Sequence, residues 1–139
     1  CVVDGHDLVA APERRRRFVH RAVDQERHTQ GFGFQFCENQ FCKGVLTLYF
    51  DDIIREVDGA VLFTDEMADQ IIAFVLAHRS VETLLVHCYG GQSRSRAVGA
   101  FAVEMLGGNS ERYFETGSPN QYVYDVLETA WIRRQLGAF

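Results

Sequence analysis

The stretch that most constrains the fold runs from Thr83 to Gly108. Thr83-Leu84-Leu85-Val86-His87 is a short β-rich run of the buried type. Five residues then separate Cys88 from Arg94. From Ser95 to Leu106 the chain is apolar nearly all round and closes on Gly107-Gly108. That pattern fits a central buried helix with a glycine stop. The same alternation occurs upstream. Val45 to Phe50 is a run of strand length that gives way to polar residues at Asp51-Asp52. Thr64 is placed to cap a helix whose first turn holds Asp65 and Glu66. Met67, Ile71, Phe74, Val75 and His78 recur at helical spacing, predicting an amphipathic helix over 65–79. A short helix is expected from Asn109. Ser118-Pro119-Asn120-Gln121 reads as a capping box with proline at the first helical position. It opens a last helix whose Val123, Leu127, Ala130 and Trp131 share a face. Strands alternating with helices imply an α/β layer structure.

The first third is less regular. Val2 to Asp4 reads as the end of an edge strand. Pro12 to about Val23 is expected to be a helix carrying Arg14, Arg15, Arg16, Arg17 and Arg21. Residues 24–43 fit a strand or an aromatic loop equally, with Gly31-Phe32-Gly33-Phe34-Gln35-Phe36 at their centre. No repeat, low-complexity tract or linker divides the chain, and one domain over 1–139 is expected. The first residue is Cys1 rather than Met, so the start reads as trimmed and the lack of a leader carries little weight.

Composition sets the outer limits. With 47% hydrophobic and 24% charged residues, the 139-residue chain excludes disorder, collagen and coiled coil as whole-chain descriptions. No apolar run approaches the roughly 20 residues that span a bilayer. A net charge of −5 argues against a general nucleic-acid or membrane-surface binder. Four cysteines, Cys1, Cys37, Cys42 and Cys88, are too few for a disulfide scaffold at this size. They read as reduced thiols of a cytoplasmic protein. Cys37 and Cys42 with His28 make at best half a zinc site, so no metal or other cofactor is expected.

The chemistry concentrates in Cys88-Tyr89-Gly90-Gly91-Gln92-Ser93-Arg94-Ser95. A short loop closing on a helix start turns several backbone N–H groups toward one point and adds the helix dipole. A phosphate dianion fits such a nest. Arg94 offers a planar fork to two phosphate oxygens. The field that binds phosphate also stabilises a thiolate at Cys88, and a thiolate facing phosphorus is a nucleophile. Gly91 permits close approach or positive φ. Ser95 is placed to donate to the sulfur and ease its departure. His87, on the strand, is expected to support the loop rather than transfer protons.

The segment from His87 to Ser95 resembles the signature loop of the protein tyrosine phosphatase superfamily. The order of elements is similar to the small dual-specificity-like branch, where the nucleophile lies late and an acid-bearing loop follows an earlier strand. The low-molecular-weight branch carries its loop near the N-terminus, which disagrees with position 88. The resemblance covers about 45–106, and the Ser118-Pro119-Asn120 helix start looks like compact bacterial members. It implies a central, mostly parallel sheet flanked by helices, and phosphomonoester hydrolysis through a phosphocysteine intermediate on phosphotyrosine, with phosphoserine or phosphothreonine as further substrates.

The family mechanism needs a general acid that later acts as base. Asp51 and Asp52 close the strand Val45–Phe50, as the family's acid does. Asp52 is favoured, Asp51 is second, and Asp58 and Asp65 follow, Asp65 reading better as a helix-capping charge. The expected catalytic set is thus Cys88, Arg94, Asp52 and Ser95. Tyr89, Gly90, Gly91, Gln92, Ser93 and Arg94 form the phosphate loop. Tyr89, Gly90, Gln92 and Ser93 supply no lysine, which lowers the expectation of an inositol-lipid substrate. Arg14–Arg17 form a solvated helix surface or line the mouth of the site. The expected partner is a phosphorylated protein or small phosphomonoester, met by a monomer. The alternatives are a non-catalytic phosphate-binding module, and arsenate-reductase or sulfurtransferase chemistry on the same loop. The nearest candidate for the resolving cysteine of such chemistry is Cys42.

Overall fold

The computed structural model describes residues 44–81, 83–88 and 91–137, together with the backbone of 19–24. The elements are β1 (Val19–Asp24), β2 (Gly44–Leu48), α1 (Asp65–Ala77), β3 (Thr83–His87), α2 (Arg94–Met105), α3 (Glu111–Glu115) and α4 (Gln121–Gln135). Backbone pairing sets β1 between β2 and β3, parallel to both, with Val23 opposite Thr47 on one side and His87 on the other. The helix expected up to Val23 is therefore corrected over its last part. Val19 and Val23 suit a pleated strand, and pairing on both flanks outweighs the helical tendency of the preceding arginines. Residues 12–18, with Arg14–Arg17, lie outside the described residues. So do Val2–Asp4, residues 25–43 with Cys37, Cys42 and His28, and Tyr89 and Gly90.

The helices form for local reasons. Thr64 Oγ1 accepts from the Met67 N–H at 3.2 Å, and Asp65 and Glu66 sit in the first turn of α1. α1 stops at His78, whose N–H reaches the Phe74 and Val75 carbonyls. α2 ends as expected on Gly107, with φ of 81°. The Gly107 N–H donates to Glu104 O at 3.0 Å and the Gly108 N–H to Val103 O at 2.8 Å, the two bonds of a Schellman stop. α4 starts later than its sequence suggests. Asn120, not Ser118, is the cap, its side chain accepting from the Val123 N–H at 3.0 Å, and Pro119 precedes the helix. Either residue has a capping side chain. Bonds from Asn120 to two distant loops favour the second.

The core joins three helices to the end of β2. Ile71, Ile72 and Val75 of α1 meet Phe101 and Ala97 of α2 and Val123, Leu127 and Ala130 of α4. Phe50 and Phe63 pack beneath them, ring centroids 4.8 Å apart. Each large side chain so buried contributes about 1.5–3 kcal/mol. Trp131, expected on the buried face of α4, is only partly buried but packs against this cluster. The C-terminal end of β3 and the start of α2 are thereby held against the exit of β2, where the charged loops gather. No described helix is long and apolar enough to cross a membrane.

Candidate active site

β3 delivers Cys88 into the interior, where it is 2% exposed. Its Sγ lies 3.3 Å from Ser95 Oγ, and the Gly91 N–H donates to Sγ at 3.2 Å. As a thiol Cys88 donates to Ser95; as a thiolate it accepts from both groups. The turn that makes this possible needs Gly91, whose φ is 67°. His87 is buried, and its Nδ1–H donates to the Cys88 carbonyl at 3.2 Å, which fixes the backbone at the sulfur.

Arg94 is also 2% exposed, and its Nη1 donates to Phe50 O at 3.0 Å. A guanidinium this deep is costly unless acceptors or negative charge face it. The Phe50 carbonyl is one such acceptor, and it ties the start of α2 to the strand exit that leads into Asp51 and Asp52.

The two neighbouring aspartates have separate tasks. Asp51 Oδ2 accepts from the Val61 N–H at 2.7 Å, while its own N–H donates to Val61 O at 2.8 Å. It pins the base of the loop 52–60. Asp52 is exposed, and its Oδ1 accepts from Ser93 Oγ at 2.7 Å and from Asn120 Nδ2 at 2.8 Å. Asp65 stands in the first turn of α1, and Asp58 is exposed in the turn before Gly59. Of the four candidate acids, Asp52 alone bonds through its side chain to the loop between Cys88 and Arg94 among the described residues. Ser93 makes no side-chain cap bond at the start of α2. Its hydroxyl goes to Asp52 instead, so no side chain at that position competes with an anion for the first amides of the helix.

The segment before α4 carries functional contacts that sequence reasoning missed. The Ser118 N–H donates to Gln92 O at 3.0 Å, the Asn120 N–H to Ser93 O at 3.1 Å, and Arg96 Nη1 to Thr116 Oγ1 at 3.1 Å. These bonds brace the second half of the loop between Cys88 and Arg94 and the start of α2. The only sequence signal was a second capping residue, Asn120, directly after Ser118-Pro119. A cleft of about 610 Å³ opens beside Asp52 and Ser93, walled by Ile53, Ile54, Val57 and Pro119. Among the described residues, no three His, Cys, Asp or Glu side chains gather as a metal site requires.

No protein-family model matches this chain, and no curated protein matches it.

Proposed function

We propose that this chain is a cysteine-dependent phosphatase with a fold like that of the small dual-specificity enzymes, a central parallel sheet flanked by helices. The observation that carries the reading is the buried Cys88 sulfur, in contact with Gly91 N–H and Ser95 Oγ at the start of α2, with Asp52 bonded to Ser93 of the same loop. In the first step the Cys88 thiolate attacks phosphorus. An S–P bond forms, the P–O bond to the leaving group breaks, and Asp52 supplies the proton that the leaving oxygen takes. In the second step water attacks phosphorus and gives its proton to Asp52. The S–P bond breaks, and the Ser95 hydroxyl donates to the departing thiolate. Arg94 and the loop amides hold the equatorial oxygens, which supplies the charge stabilisation that metal ions supply elsewhere. The substrate class is a phosphorylated protein side chain or small phosphomonoester, and the setting a cytoplasmic monomer.

An aryl phosphate assay at mildly acidic pH tests this. The wild-type chain is expected to turn over p-nitrophenyl phosphate. Cys88→Ser is expected to abolish turnover while keeping the fold and the binding of inorganic phosphate. Retained turnover in that variant overturns the mechanism. Phosphate binding without wild-type turnover assigns the loop to a binding module instead.

A further inference from the structure

Asn120 has more partners than a helix cap needs. It is 4% exposed. Its Oδ1 accepts from the Val123 N–H at 3.0 Å, which is the cap itself. Its Nδ2 donates to Asp52 Oδ1 at 2.8 Å and to Ile53 O at 3.1 Å. Its backbone N–H donates to Ser93 O at 3.1 Å. One buried residue thus joins the start of α4 and the loop carrying Asp52 through its side chain, and the end of the phosphate loop through its backbone N–H.

The geometry at Asp52 is unsymmetrical. Both donors, Ser93 Oγ and Asn120 Nδ2, converge on Oδ1. No hydrogen bond from a described residue engages Oδ2. A carboxylate on an exposed loop ordinarily samples several rotamers. Two donors on one oxygen restrict that freedom and set which oxygen is left to carry a proton. Proton transfer depends on such placement, because a donor outside hydrogen-bond reach of the leaving oxygen contributes nothing.

We infer that Asn120 is a positioning residue for the proton donor. Its amide holds Asp52 by Oδ1 against the phosphate loop and leaves Oδ2 to serve the leaving group. The chemistry of this inference rests on the phosphatase reading above; the tether itself rests on the bonds alone. Because the same side chain caps α4, the helix and the proton donor are placed by one residue, and a substitution must separate the two tasks.

Two variants separate them. Asn120→Asp and Asn120→Ser each keep an oxygen that caps α4 about as well as asparagine. Neither keeps the amide donor, and Asn120→Asp sets a second carboxylate against Asp52. Three measurements apply: turnover of phenyl phosphate and of p-nitrophenyl phosphate, competitive inhibition by inorganic phosphate, and amide hydrogen exchange over 52–57. Turnover of phenyl phosphate, whose leaving group needs the proton, is expected to fall by roughly tenfold or more, since a general acid contributes about 10²–10⁴-fold. Turnover of p-nitrophenyl phosphate, whose leaving group hardly needs it, falls far less. The inhibition constant of phosphate stays at its wild-type value, and exchange over 52–57 speeds up. An equal fall with both esters, or a parallel loss of phosphate affinity, would reduce Asn120 to a brace for the phosphate loop and overturn the inference. So would wild-type turnover of phenyl phosphate. If the wild-type chain hydrolyses neither ester, the phosphatase reading fails on its own. Hydrogen exchange then decides the tether, and unchanged exchange over 52–57 in both variants rejects it.

Discussion

Gly117→Ala probes whether the segment before α4 shapes the phosphate loop. Gly117 has φ of 78°, and left-handed backbone costs a residue with a side chain about 1–2 kcal/mol. A Cβ there would lie 2.6 Å from Arg96 Cδ and 2.9 Å from Gln92 Oε1, and closer still to Arg96 Nε. Arg96 must therefore move, and its bond to Thr116 Oγ1 is lost. An exposed bond of that kind is worth about 0.5–1 kcal/mol. Alanine also restricts the unfolded chain, which returns about 0.4–1 kcal/mol. The expected net loss is about 1–2 kcal/mol. Gly107→Ala is the control: its φ is 81°, and nothing lies within 4 Å of the added Cβ. That variant bears the backbone strain alone, a net loss of about 0.5–1 kcal/mol. Urea unfolding followed by Trp131 fluorescence measures both. Gly117→Ala is expected to lose more stability than the control and to lose aryl phosphatase turnover, because Gln92 and Arg96 flank Ser93 and Arg94. Adding Arg96→Ala to Gly117→Ala removes the collision with Arg96, leaving only the contact with Gln92 Oε1, and is expected to recover part of the stability difference. Equal stability losses at the two glycines, with wild-type turnover in both, refute the reasoning.

The adjacent aspartates are expected to separate by assay. Asp52→Ala cuts turnover of a poor-leaving-group ester by roughly 10²–10⁴-fold with little change in the urea midpoint. Asp51→Ala leaves the Val61 N–H without its carboxylate partner and lowers stability by about 1–2 kcal/mol; a turnover loss of that size in Asp51→Ala alone, with Asp52→Ala unaffected, would move the proposed proton donor to Asp51. Tyr124 gives an alkaline signature. Burial, then hydrogen bonds to Glu104 and Glu128, push its phenol well above the ordinary 10.0. The folded state keeps a proton that the unfolded chain releases, so this contribution is complete below about pH 10 and lost as pH rises further. Tyr124→Phe is expected to flatten the fall of the urea midpoint between pH 9 and 11, and parallel profiles would exclude the effect.

What could be read from the residues follows how far each signal reaches along the chain. Thr64 and Gly107-Gly108 stop and start helices through bonds to residues three to five positions away, so α1 and the end of α2 are legible. The contacts of Cys88 with Gly91 and Ser95 close within one turn and the helix start after it, and the spacing of those residues announces them. The sequence favours Asp52 over Asp51 but shows neither one's partner; the fold directs Asp51 to Val61 and Asp52 to Ser93. The start of α4 is displaced because two residues compete to cap it, and bonds to distant loops decide between them. Asn120 shows locally only as a possible cap, and Gly117 leaves no local pattern, since their other partners lie in distant segments. β1 shows the same limit, as a strand made by its neighbours within a stretch that reads as helix.

The bonds that close the site are long in sequence. Ser93 and Asp52 are 41 positions apart, Arg94 and Phe50 are 44, and Asn120 and Asp52 are 68. Closing such loops costs chain entropy that only the completed core offsets. The Asp52 carboxylate is therefore tied to Ser93 and Asn120 only once these distant segments have met. During synthesis, a ribosome that has released Cys88 and Arg94 still withholds Asn120. On the phosphatase reading proposed above, the nascent chain then carries the nucleophile without its fixed acid, and turnover waits for the residue that holds Asp52.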